Sequence, residues 1–354
     1  MNVLLLSVQS AVSKGGIAIW TERYLHACDQ AGISCDLVNT AAIGRIAARA
    51  TSKRNMFDEF RRTAGMHREL TRKLKAGTYD VAHLNTSIGL FGIIRDYGLA
   101  KRIHKRGIPI VLHFHCDIPF WVRRSMIKKH LGKILKLSSA NFVLCDNSAR
   151  YLQEHYGVDS VKVPNFVDDT LVIDKKDIRE TLESVCFVGR ISRAKGAREL
   201  YEAARRHPDV RFDLMGELSG QMADVTPPDN LRFLGLLPHD KVIAALDAVD
   251  AFVFPTYSEG FSLALAEAMA RGLPCIVTDV GANADMIENN GGIVVPARDA
   301  EAFSEALDTI KDPRVRRKMS RWNVQKVNEQ YLTSKLMQRF ADEYRKTIKT
   351  MGVK

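Results

Sequence analysis

Short apolar runs recur along the whole chain at intervals that suit strands alternating with helices. Residues 2–8, 34–39, 80–84, 109–114, 141–145 and 161–163 each read as a buried strand, as do 184–188, 211–215, 231–233, 250–254, 275–278 and 292–295. Most are continuous rather than alternating, the pattern of strands covered on both faces in a parallel sheet. Helical periodicities lie between them, through Ile19, Tyr24, Leu25 and Ala27, over 98–106, and around Leu336, Phe340 and Tyr344. This succession predicts an α/β fold. A charged segment at 174–183 reads as a connector between two such sets, and 354 residues exceed one ordinary core. Two parallel sheets joined by one connector predict a cleft where both present their carboxyl ends.

The polar positions gather at the ends of these strands. Residues 255–274 read P-T-Y-S-E-G-F-S-L-A-L-A-E-A-M-A-R-G-L-P: a strand runs into a polar loop with Glu259 and Gly260, and the helix that follows carries Glu267 in its apolar run. A strand-to-helix turn offers free backbone N–H groups and the positive helix end, which suits a phosphate. Earlier, F-V-G-R-I-S-R-A-K-G (187–196) follows another strand. There Gly189 permits a turn, and Arg190 and Lys195 can converge on one anion. In the first half, Gly15-Gly16 stands between strand and helix without a G-x-G-x-x-G fingerprint, either as a flexible turn or as a place for a ligand to approach the backbone. The run H-F-H-C-D puts His113 and His115 on one face at a strand terminus, with Asp117 just beyond.

V-G-R-x5-K-G together with the 255–274 stretch resembles family 4 of the retaining glycosyltransferases, and L-R-F-L-G-L-L-P (231–238) is similar to the strand that precedes that stretch in the family. The likeness is strong over about 184–296 and weaker before. It implies the GT-B fold: two Rossmann-like domains facing across a cleft, with a C-terminal helix crossing back to the first domain. Residues 1–168 with about 333–354 would form the acceptor side, and 169–332 would bind the nucleotide-sugar donor. Carried over by position, the resemblance implies that Arg190 and Lys195 bind the donor diphosphate, with Gly15 and Gly16 closing over the donor. Glu259 would contact the transferred sugar and Glu267 the ribose hydroxyls, while the backbone of Gly260, Phe261 and Ser262 lies against phosphate and sugar. The family's catalytic-region histidine falls on H-F-H, where His115 is the better match and His113 the alternative. The chain departs from the family at V-G-A-N-A-D-M-I (280–287), which replaces a Gly-Gly and Pro-Glu pair, and at Cys116, where the family often has Gly.

Charge and composition add a location. The net charge of +11 lies entirely in residues 1–169, with 25 Lys/Arg against 14 Asp/Glu; residues 170–354 hold 27 of each. Two basic segments with interleaved apolar positions, 45–75 and 119–137, suit contact with an anionic membrane. Aromatic stacking platforms are sparse among those charges, so nucleic acid is not expected. No apolar run approaches a bilayer span, and no basic leader precedes strand one, which reads as a cytoplasmic protein peripheral to the inner face of the plasma membrane. The six scattered cysteines lack metal-ligand spacing and read as reduced thiols.

The leading expectation is a retaining transferase moving a sugar from a UDP- or GDP-linked donor to a hydroxyl of a glycan acceptor, lipid-linked. No D-x-D occurs, so no metal or other cofactor is expected: Arg190, Lys195 and a helix end would carry the charge in a front-face mechanism. The alternatives are a nucleotide-sugar epimerase or phosphorylase of the same plan, or a non-catalytic sugar-nucleotide binding protein.

Overall fold

The computed structural model describes residues 1–9, 15–41, 56–219 and 226–352. It divides into two compact units, Met1–Asn165 with Thr333–Lys354, and Phe166–Leu332. Among the described residues the first unit holds strands β1 (Asn2–Ser7), β2 (Ser34–Asn39), β3 (Val81–Asn85), β4 (Ile110–Phe114), β5 (Ala140–Val143) and β6 (Val161–Lys162). The second holds β7 (Ser184–Val188), β8 (Arg211–Met215), β9 (Leu231–Gly235), β10 (Ala251–Phe254), β11 (Cys275–Thr278) and β12 (Gly292–Val295). Every apolar run read as a strand forms one, within a residue or two at its ends.

Both sheets are parallel throughout. Their orders are β2-β1-β3-β4-β5-β6 and β12-β11-β10-β7-β8-β9, and in each the chain starts inside the sheet, runs to one edge and then reverses direction. Parallel pairing needs a crossover between strands, and helices fill that role on the faces. Strands β4 and β10 are buried from end to end and β7 at all but its last residue, whereas β9, at an edge, exposes four of its five residues. Since all strands of one sheet point the same way, every strand-to-helix loop of that unit emerges at one edge.

The C-terminal helix Thr333–Gly352 belongs to the first unit. Its apolar face buries Leu336, Met337, Phe340, Ala341 and Tyr344, the face that the periodicity marked. The Tyr344 hydroxyl meets that of Tyr24, from the helix Gly16–Ala27, at 2.8 Å.

Three expectations are corrected. The helix expected over 98–106 is Leu90–His104, because Leu90, Ile93 and Tyr97 continue its packing face one and two turns earlier. The 119–137 segment is not one helix: Ile118–Trp121 and Ser125–Leu135 are separated where the buried Val122 adopts φ −86°, ψ 62°. The charged segment 174–183 is no free connector but a strap on the second unit. Lys176 Nζ donates to the carbonyls of Asp247 (2.9 Å) and Leu246 (3.4 Å), at the carbonyl-rich end of the helix His239–Ala248. Arg179 pairs with the buried Asp250, whose other oxygen accepts from the backbone N–H groups of Glu183 (3.0 Å) and Ser184 (2.9 Å). Part of the basic 45–75 segment, 45–55, lies outside the described residues; the rest is the helix Met56–Ala76.

Candidate active site

In the second unit, loops from neighbouring strands are stitched together at the carboxyl edge. β10 runs into Pro255–Ser262, and the Ser262 side chain caps the next helix, Leu263–Ala270, by accepting from Leu265 N at 3.1 Å. Tyr257 N donates to Ala194 O (3.0 Å) in the loop after β7, and Ala282 N, after β11, donates to Gly260 O (2.8 Å). Two glycines make this approach possible. A Cβ on Gly196 would lie 2.1 Å from the Pro255 carbonyl oxygen, and one on Gly281 would lie 2.3 Å from that of Glu259; both have positive φ, 75° and 57°.

This junction brings Lys195 to Glu259. The two side chains form a short, partly buried ion pair, and Lys195 Nζ also donates to Ser258 O at 3.3 Å. Gly260, Phe261 and Ser262 are buried behind it. Glu267, only 6% exposed on the Leu263–Ala270 helix, does not join Glu259: its Oε1 meets His239 Nε2 at 3.1 Å, at the start of the helix after β9. Arg190 is highly exposed and reaches Glu217, in the loop after β8, at 4.0 Å. Five loops, after β7, β8, β9, β10 and β11, thus contribute side chains or backbone to one edge. Tyr257 is fixed from both sides, its hydroxyl donating to Glu199 Oε1 (2.5 Å) and its ring lying under Arg298 (4.9 Å). His239 is not among the residues that the motifs mark, although its position just after a strand and at a helix start is a visible signal. Glu199 and Arg298 carry no local signal at all.

In the first unit the two histidines part company. Their rings sit 4.0 Å apart on one face, as strand alternation predicts, but His113 is fully buried whereas His115, one residue past β4, is partly exposed. Trp20 stands edge-on to both, with centroids at 5.4 and 4.9 Å. His83 on β3 completes a cluster, its Nε2 3.2 Å from His113 Nδ1. Burial pushes His83 down to about 3; burial and then the charge of His83 bring His115 to about 3, and His113 is held well below the usual range. Gly15 precedes the helix Gly16–Ala27 with an ordinary extended backbone, and a Cβ on Gly16 would meet nothing within 4 Å. The described fold therefore does not itself require glycine at 16. All six cysteines are free thiols.

Residues 134–326 match the family model described as glycosyl transferases group 1. The chain belongs to the glycosyl transferases group 1 family. Residues 14–171 also match the model for Glycosyltransferase Family 4. Among curated relatives, the UDP-Gal:alpha-D-GlcNAc-diphosphoundecaprenol alpha-1,3-galactosyltransferase of Escherichia coli is 29% identical over 71% of each chain. The phosphatidyl-myo-inositol mannosyltransferase of Mycolicibacterium smegmatis is 26% identical over 68% of this chain and 64% of its own. Among solved structures, sucrose-phosphate synthase from Thermosynechococcus elongatus superposes with a TM-score of 0.81 at 18% identity, covering 99% of both chains. Anabaena HepE in complex with UDP gives 0.74 at 16% identity, covering 98% of this chain and all of that one. The fold is GT-B, with two Rossmann-like domains, and the chain is a glycosyltransferase.

The histidine cluster has a consequence for stability. A histidine protonates near pH 6.5 in the unfolded chain, whereas folded His83 and His115 resist protonation down to about pH 3. Between those limits the unfolded state binds more protons, so stability is complete above pH 6.5 and declines as the pH falls toward 3. Urea midpoints measured from pH 7.5 to 4.5 are expected to fall, and to fall less steeply in His83→Gln.

Proposed function

We propose that this glycosyltransferase moves a sugar, with retention of anomeric configuration and without a metal, from a nucleoside-diphosphate donor to a hydroxyl of a lipid-linked glycan. The observation that carries the proposal is the Lys195–Glu259 pair at the junction of the loops after β7 and β10. Within the chain the cation and the acid satisfy each other. An arriving diphosphate takes over Lys195, aided by Arg190, and Glu259 is released to accept hydrogen bonds from the sugar hydroxyls. Glu267, beside His239, accepts from the ribose hydroxyls. The acceptor oxygen attacks C1 on the face from which the diphosphate departs. The C1–O bond to phosphate breaks as the new glycosidic bond forms, and the acceptor proton passes to the leaving phosphate oxygen. Lys195 and Arg190 neutralise the charge that develops on that leaving group. His115, Gly15 and Gly16 are assigned to the first unit's share of the reaction. The name of the E. coli relative, with its UDP-linked donor and diphosphoundecaprenol acceptor, supports a UDP-linked donor and a lipid-diphosphate acceptor; a GDP-linked donor is the second candidate.

A lipid-linked acceptor calls for a place at the membrane, and we assign that role to the first unit. Phe91, Ile94, Phe120, Trp121 and Met126 are exposed on three helices, Leu90–His104, Ile118–Trp121 and Ser125–Leu135, the first and last packed together. Arg123, Arg124, Lys128 and Lys129 are exposed among them. Aromatic side chains in a basic surround match an interface of anionic lipid, each cation adding about 1 kcal/mol of attraction. Among the described residues no helix is long and apolar enough to cross a membrane. The assignment is to the cytoplasmic face of the plasma membrane.

Two measurements test this. With UDP-galactose and a short-chain lipid-diphosphate N-acetylglucosamine, nucleoside diphosphate is expected to appear only when acceptor is added, and chelator should not slow its release. Release without acceptor points to an epimerase, phosphorylase or hydrolase; loss with chelator and recovery with Mg²⁺ excludes the metal-free route. In liposome sedimentation the chain should bind vesicles containing anionic lipid and release in high salt, with Trp121→Ser/Met126→Ser binding several-fold more weakly; equal binding to neutral vesicles, or none, removes the membrane assignment.

A further inference from the structure

The proton on each group around His115 can be traced from a single backbone carbonyl. Thr21 Oγ1 donates to Ile17 O at 2.8 Å, in the first turn of the helix that opens after Gly15-Gly16. That uses the one proton Thr21 has, so in the 2.6 Å contact between Ser7 Oγ and Thr21 Oγ1 the serine is the donor. The Ser7 oxygen then accepts from Asn85 Nδ2 at 2.6 Å. This fixes the Asn85 amide, and its Oδ1 faces His115 Nε2 at 3.0 Å and His83 Nε2 at 3.1 Å. An amide oxygen can only accept, so both rings carry their proton on Nε2. Nδ1 of a neutral His83 is then an acceptor, and it is met at 2.5 Å by the hydroxyl of Tyr344, which in turn meets the Tyr24 hydroxyl at 2.8 Å. Ser7, Thr21, His83, Tyr24 and Tyr344 are all fully buried.

We propose that Asn85 is a positioning residue that holds His115 as the neutral tautomer protonated on Nε2, leaving Nδ1 as the only acceptor nitrogen of the ring. Its importance for catalysis rests on the glycosyltransferase reading of His115 given above. The tautomer itself follows from the hydrogen bonds alone. In this state a ligand hydroxyl that meets Nδ1 must donate to it, and the ring brings no positive charge to the reacting sugar. The groups facing His115 agree: Trp20 from the first helix, His83 and Asn85 from β3, His113 from β4, and Asn165. None of them carries a negative charge, and the one contact that favours an imidazolium, the side chain of Asn165, is outweighed by burial and by His83. The network also explains the chemistry of the C-terminal helix, where packing alone would accept phenylalanine at 344. A tyrosine there supplies the donor that His83 Nδ1 needs once Asn85 has claimed Nε2.

The test is long-range ¹H–¹⁵N spectroscopy of the full chain with ¹⁵N-labelled histidine, assigned with His115→Gln and His83→Gln variants. It reads which ring nitrogen is protonated whether or not the protein transfers sugar. Wild type is expected to show His115 and His83 neutral with the proton on Nε2 from pH 7.5 to pH 5. Asn85→Ala should release His115 into a mixture of tautomers and let it protonate nearer pH 6.5, whereas Ser7→Ala, which removes only the anchor of the amide, should weaken the preference partway. In the transfer assay Asn85→Ala is expected to lower kcat about 10- to 100-fold with donor KM changed less than threefold, and Asn85→Asp, which restores an acceptor and adds a charge, should shift the acidic limb of the kcat profile to higher pH. A wild-type spectrum with the His115 proton on Nδ1, or an imidazolium at pH 6, overturns the proposal even if every Asn85 variant fails to fold. Correct spectra in a protein that transfers no sugar would count against the functional reading and leave the tautomer assignment intact.

Discussion

The candidate donor site depends on how closely two stretches of backbone approach at the carboxyl edge of the second sheet. The loop after β7 lies against the loop after β10 with no space for a side chain at Gly196, and the loop after β11 closes on Glu259 with none at Gly281. Backbone hydrogen bonds, Tyr257 N to Ala194 O and Ala282 N to Gly260 O, hold that spacing. A β-carbon at either glycine would push the loops apart, and with them the lysine and glutamate that face each other across the junction. The parallel order of the sheet makes the arrangement available, since strands running in one direction deliver their loops to one edge. Gly196 and Gly281 decide how tightly they meet there.

Electrostatics at that edge is arranged for exchange rather than for stability. An ion pair that has lost part of its water gains little net energy, because desolvation offsets most of the attraction. The Lys195–Glu259 pair, partly buried on both sides, is of that kind. In the proposed reaction each partner would exchange this contact for one with the donor, Lys195 with a diphosphate and Glu259 with a sugar. The first unit handles charge in the opposite way. Its three histidines are kept neutral by burial, and two of them are tied by directional hydrogen bonds, His83 and His115 to the Asn85 amide oxygen and His83 also to the Tyr344 hydroxyl. An ion pair that can switch partners suits a ligand that comes and goes, and a locked tautomer suits a group that must meet the reacting centre in one form.

The strands were legible because both faces of a central parallel strand are covered, and continuous Val, Leu, Ile and Phe runs have no other stable use in a chain of this polarity. The residues of the candidate site were legible as positions at strand ends: Lys195 and Glu259 do meet, and Glu267 is buried on the helix as its place in an apolar run implied. What local pattern could not supply was partnership. Nothing near Glu267 marks His239, 28 residues away, as its neighbour, and nothing near His115 points to Asn85, or through His83 to Tyr344. The 174–183 segment, which reads as a connector, has partners that local pattern could not supply either: Lys176 meets helix-end carbonyls and Arg179 the buried Asp250. The break at Val122 was hidden by an apolar and basic alternation that continues unbroken through it.

The central claim is that Lys195 is the cation that receives the donor's diphosphate. The direct measurement is a thermal-shift titration of the chain and of Lys195→Ala with UDP and GDP, since a ligand that binds only the folded state raises its melting temperature with concentration. The account predicts a saturable rise with one of the two nucleotides in the wild type and loss of most of that rise in the variant, whose ligand-free unfolding stays cooperative. A rise of equal size in Lys195→Ala, or no rise with either nucleotide in the wild type, would contradict it.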